Sequence, residues 1–289
     1  MKPLNEVFGF DVRDQSVEAV RSRKNRLCPF NNDGSANCTK DKAQDPLGVC
    51  SIVHNNQTAV ICPSRFRQDW VILDEASKFF FSPKTKWTSI TEVRIKDSDG
   101  KAAGNIDVVL VSHDNDGRIT DFGALEVQAV YVSGNVRNPF KSYISNPTGS
   151  VSRSWEEENP PRPDYLSSTR KRLAPQLLFK GGIVSSWGKK SAVVVDRGLF
   201  ATIPRLKKVK KSEADLLWIV TDLSENYQPG ISRKLVVVDL LHTKFEESLA
   251  TIVNPKPGDV NQFYRTLQKK LDSKLKLTEP SKERLMRLK

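Results

Sequence analysis

The runs Asn105-Ile106-Asp107-Val108-Val109-Leu110-Val111-Ser112 and Ile119 to Val132, the second containing Leu125-Glu126-Val127-Gln128, decide the fold. Both have strand length and β-branched content, and Asn115-Asp116-Gly117 between them is a hairpin signal. Upstream, Trp87 to Ile95 is a further strand, separated from Asn105 by the turn Asp99-Gly100. The pattern predicts an antiparallel meander. If each Asp-Gly pair is a two-residue tip, Glu92 lies opposite Asp107, and Asp107 opposite Glu126. Directly opposite residues share a face with Cβ atoms roughly 4.5–5.5 Å apart. The three carboxylates then form a row, and Gln128 shares its face. Carboxylates in a row between apolar neighbours repel one another, and a divalent cation offsets that repulsion. Oxygen donors at this spacing suit Mg²⁺. The competing reading is the solvated polar side of an amphipathic sheet, since a one-residue slip destroys the row.

Working outward, Val71 to Pro83 reads as a short helix stopped by proline. Residues 133–163 read as a loop rich in Gly, Asn, Ser and Pro. Tyr165 to Trp187 reads as a helix with Leu166, Leu173, Leu177 and Leu178 on one side and Pro175 as a kink. Ser191–Val195, Leu216–Val220 and Lys234–Leu241 have the β-branched content of buried strands. Val260, Phe263, Tyr264, Leu267, Leu271 and Leu275 recur at helical spacing. Residues 1–70 look irregular, with short apolar pieces between Asn, Asp and Gly turns.

The chain has 289 residues, which predicts about two domains. The expected boundaries are 1–70, an N-terminal segment with a metal-binding module, and 71–289, the sheet domain with a basic C-terminal helix. A hydrophobic content of 38% excludes global disorder. Lys plus Arg number 46 against 34 acids, a net charge of +12, which predicts a polyanionic partner. No apolar stretch is long enough to span a membrane. The first residues lack the layout of a secretory signal, so a soluble, cytoplasmic protein is expected.

All four cysteines, Cys28, Cys38, Cys50 and Cys62, fall in the early segment. Clustered thiols in a reducing compartment point to metal, zinc or iron, held in a closed tetrahedral structural site. The spacing lacks a tight C-x-x-C knuckle, and four unconnected buried thiols are the bland alternative. Each of Leu27-Cys28-Pro29, Gly48-Val49-Cys50 and Ile61-Cys62-Pro63 presents its cysteine at a turn. His54 is an alternative ligand or a solvated loop histidine.

Ile106-Asp107-Val108 followed by Leu125-Glu126-Val127-Gln128 resembles the PD-(D/E)xK nuclease core, without the proline of its first motif and with Gln128 where lysine is usual. Preceded by the cysteine segment, including Leu27-Cys28-Pro29-Phe30 and Ile61-Cys62-Pro63-Ser64-Arg65, it is similar to the NotI-like type II restriction endonucleases over roughly residues 26 to 132. The resemblance implies an α/β restriction-endonuclease-like mixed sheet flanked by helices, with a small N-terminal four-cysteine module holding iron. It implies a homodimer and Mg²⁺-dependent double-strand cleavage of a palindromic DNA site. Asp107 and Glu126 carry over as Mg²⁺ ligands, Glu92 as the additional upstream acid, and Gln128 as a glutamine variant. Glutamine adds no positive charge, so the metal carries more of the electrostatic work.

Basic groups at Arg21–Arg26, Arg170-Lys171-Arg172, Lys207–Lys211 and the C-terminal helix suit a phosphate backbone. Base reading needs Arg, Lys, Asn or Gln at base edges. Asn135, Arg137 and Asn138, in the loop after the Glu126 strand, and Arg65 and Arg67, beside Cys62, are the candidates. With three histidines, histidine-centred catalysis has few candidates. The segment around Gly188-Lys189-Lys190 lacks the first glycine and the Ser/Thr of a phosphate-binding loop. The rival class is a metal-stabilised, sequence-specific DNA-binding protein without catalysis, which has no need of the carboxylate row.

Overall fold

The structure is a computed structural model that describes residues 3–31, 37–42, 44–152 and 159–278. It divides into two compact units, Met1–Val253 and Asn254–Lys289. The first unit begins with β1 (Leu4–Val7), β2 (Phe10–Asp11), α1 (Val17–Asn25), β3 (Val49–His54) and β4 (Gln57–Val60). These strands form an antiparallel sheet in the order β2-β1-β3-β4. The expectation of an irregular segment is therefore corrected. The strands are two to six residues long, too short for alternation to register. Their turns use left-handed residues: Phe8 and Gly9 between β1 and β2, Asn55 and Asn56 between β3 and β4.

There follow α2 (Val71–Phe80), β5 (Trp87–Lys96), β6 (Ala102–His113), β7 (Ile119–Gln128), β8 (Val132–Ser133), α3 (Arg137–Ser145), α4 (Pro147–Ser152) and β9 (Arg162–Pro163). The stretch expected to be a loop thus carries two short helices. Residues 153–158 of that stretch lie outside the described residues. Helix α5 covers 165–186. β10 (Ser191–Asp196), α6 (Arg197–Phe200), β11 (Leu216–Leu223), β12 (Leu235–Thr243) and α7 (Phe245–Val253) complete the unit.

The large sheet has the order β12-β11-β10-β7-β6-β5. β7, β10 and β11 run parallel, and the flanking pairs are antiparallel. Every residue of β10 is buried, as a central strand covered on both faces requires. On one face α2 packs Ile72, Leu73, Ala76, Phe79 and Phe80 against Leu110, Leu125, Val194 and Ile219. Gly123 makes that contact possible, because a Cβ there would lie 2.4 Å from the Phe80 ring. On the other face Leu173 and Leu177 of α5 pack with Val193, Val195 and Trp218, and the same cluster continues into Leu4, Val7, Val49 and Ile52 of the small sheet. One core thus serves both sheets.

Pro175 does not end α5. The backbone stays in the right-handed helical region on both sides of it, and wider π turns flank it at Ser168–Leu173 and Leu177–Gly181. A π turn adds a residue and shifts the helix face, and such turns occur frequently at functional sites. The second unit contains α8 (Val260–Thr278). Phe263, Tyr264, Leu267 and Leu271 of its apolar stripe are exposed.

Candidate active site

Two hairpin turns of one design set the register. Asp97 N donates to Lys101 O at 2.9 Å, and the Asp97 side chain caps the Asp99 and Lys101 amides. Asp114 N donates to Arg118 O at 3.0 Å, with the Asp114 side chain on the Asp116 and Arg118 amides. Gly100 and Gly117 supply the left-handed residue in each. The loops are larger than two-residue tips, but a register irregularity beside each turn, at Ile95/Lys96 and Ser112/His113, compensates. Beyond them Thr91 lies opposite Val108, Val93 opposite Ile106, and Val108 opposite Leu125. That is the expected register.

The rungs that would carry the acids are missing. The β5–β6 ladder skips from Thr91/Val108 to Val93/Ile106, and Glu92 has a left-handed backbone with φ of 54°. Glu92 is exposed, within 3.4 Å of Asn105 Nδ2. The β6–β7 ladder stops at Val108/Leu125, and Asp107 Oδ2 accepts from Val127 N at 2.7 Å. Past this point β7 pairs only with β10, Glu126 lying beside Val193 and Gln128 beside Val195. The strands splay where the acids sit.

Glu126 is buried beside Asp107. Burial first, then the charge of Asp107, pushes its carboxyl up to about 8, while Lys180 opposes the shift. Lys180 Nζ lies 2.5 Å from Glu126 Oε2 and 2.7 Å from Asn105 O. Gln128 Nε2 donates to Ala129 O at 2.6 Å. A cleft of about 570 Å³ opens here, lined among others by Glu92, Asp107, Gln128, Arg67, Arg172 and Trp70. Arg172 stands over the Tyr131 ring at 4.7 Å. Asp107 and Glu126 form a two-carboxylate oxygen set, which fits Mg²⁺, an ion that keeps several waters and takes few protein ligands. Among the described residues no three His, Cys, Asp or Glu side chains gather as a metal-holding group. The expected three-acid row is therefore corrected: the left-handed turn of the strand at Glu92 removes it from the pair.

The contact of Lys180 with Glu126 was not foreseen from the sequence. Its signal is a cation in the apolar face of α5, among Leu173, Leu177 and Val184, all buried. Of the expected DNA contacts, Arg67 and Arg172 face the cleft. Arg170 and Lys171 are exposed on α5. Arg65 is corrected: it is fully buried, ion-paired to Glu6 at 3.1 Å, 4.3 Å over the Phe30 ring and bonded to the Arg233 carbonyl, so it reaches no base. Arg137 pairs with Asp41 and Asp45. Asn135 accepts from the Asn138 amide and donates its own amide to Asn159.

Cys28, Cys38, Cys50 and Cys62 are all buried and free of disulfides. Burial pushes the thiols of Cys28, Cys38 and Cys50 up, and the charges of neighbouring cysteines add to it. Backbone amides of Phe30 and Asn31 at Cys28, and of Lys40 at Cys38, act in the opposite direction. Lys40 Nζ donates to Val49 O and Ile61 O at 2.7 and 3.0 Å. Among the described residues the four thiols do not gather as a metal-holding group.

A mixed sheet flanked by helices, with two carboxylates side by side where two strands splay, is an α/β architecture compatible with a nuclease fold. The family model for restriction endonuclease NotI matches residues 6–235, and the chain belongs to that family. It is a type II site-specific deoxyribonuclease, whose partner is double-stranded DNA. A search of curated proteins gives no match. Among the described residues no helix is long and apolar enough to cross a membrane.

Proposed function

We propose that the protein cuts both strands of a palindromic DNA site as a cytoplasmic homodimer, in an Mg²⁺-dependent reaction. The observation that supports this reading best is the contact of Asp107 with Glu126 beside a cleft edged by Arg67 and Arg172. Asp107 and Glu126 would hold the ion. When bound, Mg²⁺ supplies Lewis acidity for phosphodiester hydrolysis. Gln128 orients a polar group in the cleft, Glu92 adds charge at its edge, and Arg67 and Arg172 hold phosphates. Arg170, Lys171, Asn135, Arg137 and Asn138 extend the DNA contact. A two-fold dimer matches a two-fold duplex. Enzymatic family membership sets aside the reading as a binder without catalysis.

The N-terminal segment 1–70 carries the module, and residues 71–289 the nuclease domain. In this reading the four cysteines, which do not gather as a metal-holding group among the described residues, draw together when one iron or zinc ion per chain binds, a reading supported by the burial of all four. Metal analysis of purified protein tests it: about one tightly bound transition metal per chain is expected, and folded, metal-free protein with four titratable thiols defeats it.

The activity is tested by digesting a long DNA of known sequence. Discrete fragments with Mg²⁺ and none with chelator are expected; site-independent nicking defeats the proposal. Asp107→Ala abolishes cutting and leaves DNA binding in Ca²⁺ largely intact; retained cutting removes Asp107 from the mechanism.

A further inference from the structure

The geometry points to Lys180 as a positioning residue that supplies, from helix α5, the fixed positive charge that the Glu126-Val127-Gln128 motif lacks. The inference rests on the proposal that Asp107 and Glu126 act together. A lysine on this face of α5 is costly. Its neighbours Leu173, Leu177 and Val184 show that the position belongs to the core, and an aliphatic side chain would pack there without a charge to desolvate. The ammonium is instead aimed at one place. It bridges Glu126 Oε2 on β7 and the Asn105 carbonyl on β6, the two strands that part at Asp107. One oxygen of Glu126 is thereby fixed.

The surroundings are built to admit the side chain. Gly104 has φ of 128°, and a Cβ there would lie 3.2 Å from Lys180 Cδ, so the stem runs against bare backbone. Arg172, Gln176 and Lys180 follow at intervals of one turn, and Arg172 and Gln176 both line the cleft. The π turn at Leu177–Gly181 contains Lys180 itself. Helix α5 thus presents a polar ladder from the cleft mouth to Glu126, inside a face that is otherwise apolar.

The test compares Lys180→Gln, Lys180→Met and Lys180→Arg with the wild type and with Asp107→Ala. Single-turnover cleavage is read in Mg²⁺, and DNA affinity in Ca²⁺. Both neutral variants are expected to cut about 100-fold more slowly or worse, with affinity unchanged, and Lys180→Arg to regain most of the rate. Should Lys180→Met fail to fold, Lys180→Gln decides alone, because it keeps a polar, two-donor head group while lacking the charge. A neutral variant that cuts at the wild-type rate overturns the inference. So does an arginine variant as slow as a folded methionine variant, which would assign Lys180 to packing. If Asp107→Ala is inactive while Lys180→Gln cuts normally, only this inference falls. If Asp107→Ala still cuts, the underlying reading falls with it.

Discussion

Arg65 and Arg67 stand two positions apart and have opposite fates. The first has no exposed surface and is held by Glu6, Gln68, Phe30 and the Arg233 carbonyl; the second is exposed at the cleft. Removing one partner of a buried pair leaves an uncompensated charge, which costs about 3–5 kcal/mol. Urea unfolding should show a loss of that order for Glu6→Gln or Arg65→Met. Arg67→Gln should stay within about 0.5 kcal/mol of wild type and weaken DNA binding. The sequence reading could not separate the two arginines, because the partner of Arg65 lies far upstream and nothing local marks it. The strands that carry Asp107, Glu126 and Gln128 were legible, because alternation and two Asp-Gly turns mark one meander. Lys180 was not, since its partner lies on a distant strand, although its place among the leucines of α5 was visible.

At the scale of elements, the meander register was legible although the turns were not. Each hairpin loop is larger than a two-residue tip, and the irregularity beside it restores the pairing. The left-handed Glu92 was invisible to a period-two argument, which assumes an unbroken ladder. The small sheet was missed because its strands are short. Besides the shared core, Asp196 ties it to the large sheet, capping α6 and accepting from Val60 N of β4 at 3.2 Å. Burial pushes the Asp196 carboxyl up to about 6 despite those amides. The folded state therefore holds this proton more tightly than the unfolded chain. Stability from this group is fully present below about pH 4 and is lost as pH rises through about 6, a change of up to about 3 kcal/mol. Asp196→Asn keeps an oxygen for the cap and removes the titration. Urea unfolding from pH 4 to 7 should show the variant gaining on wild type by up to that amount; parallel profiles would contradict the assignment. Gly123→Ala, by contrast, should cost about 1–3 kcal/mol at every pH, because its methyl would enter the Phe80 ring.

For the whole molecule, the net charge of +12 predicts attraction to DNA but not where the duplex lies. Counterion release distinguishes the two, since only cations that contact phosphate contribute to the salt dependence, about 0.9 in the log–log slope per contact on duplex DNA. Two pairs of cations make the comparison. Arg67 and Arg172 line the cleft beside Asp107, whereas Lys207 and Lys208 are exposed outside it, Lys207 already paired with Glu247 at 3.1 Å. Neutralising either pair with glutamine removes the same formal charge. If the scissile strand runs through the cleft, Arg67→Gln with Arg172→Gln lowers the magnitude of the slope by about 2. Lys207→Gln with Lys208→Gln then leaves the slope nearly unchanged and weakens affinity only slightly, through the long-range field. Fluorescence anisotropy over a salt series in Ca²⁺ measures both. Equal slopes for the cleft variant and wild type would show that the phosphates pass elsewhere, and a larger change from the lysine pair would move the DNA path to that surface.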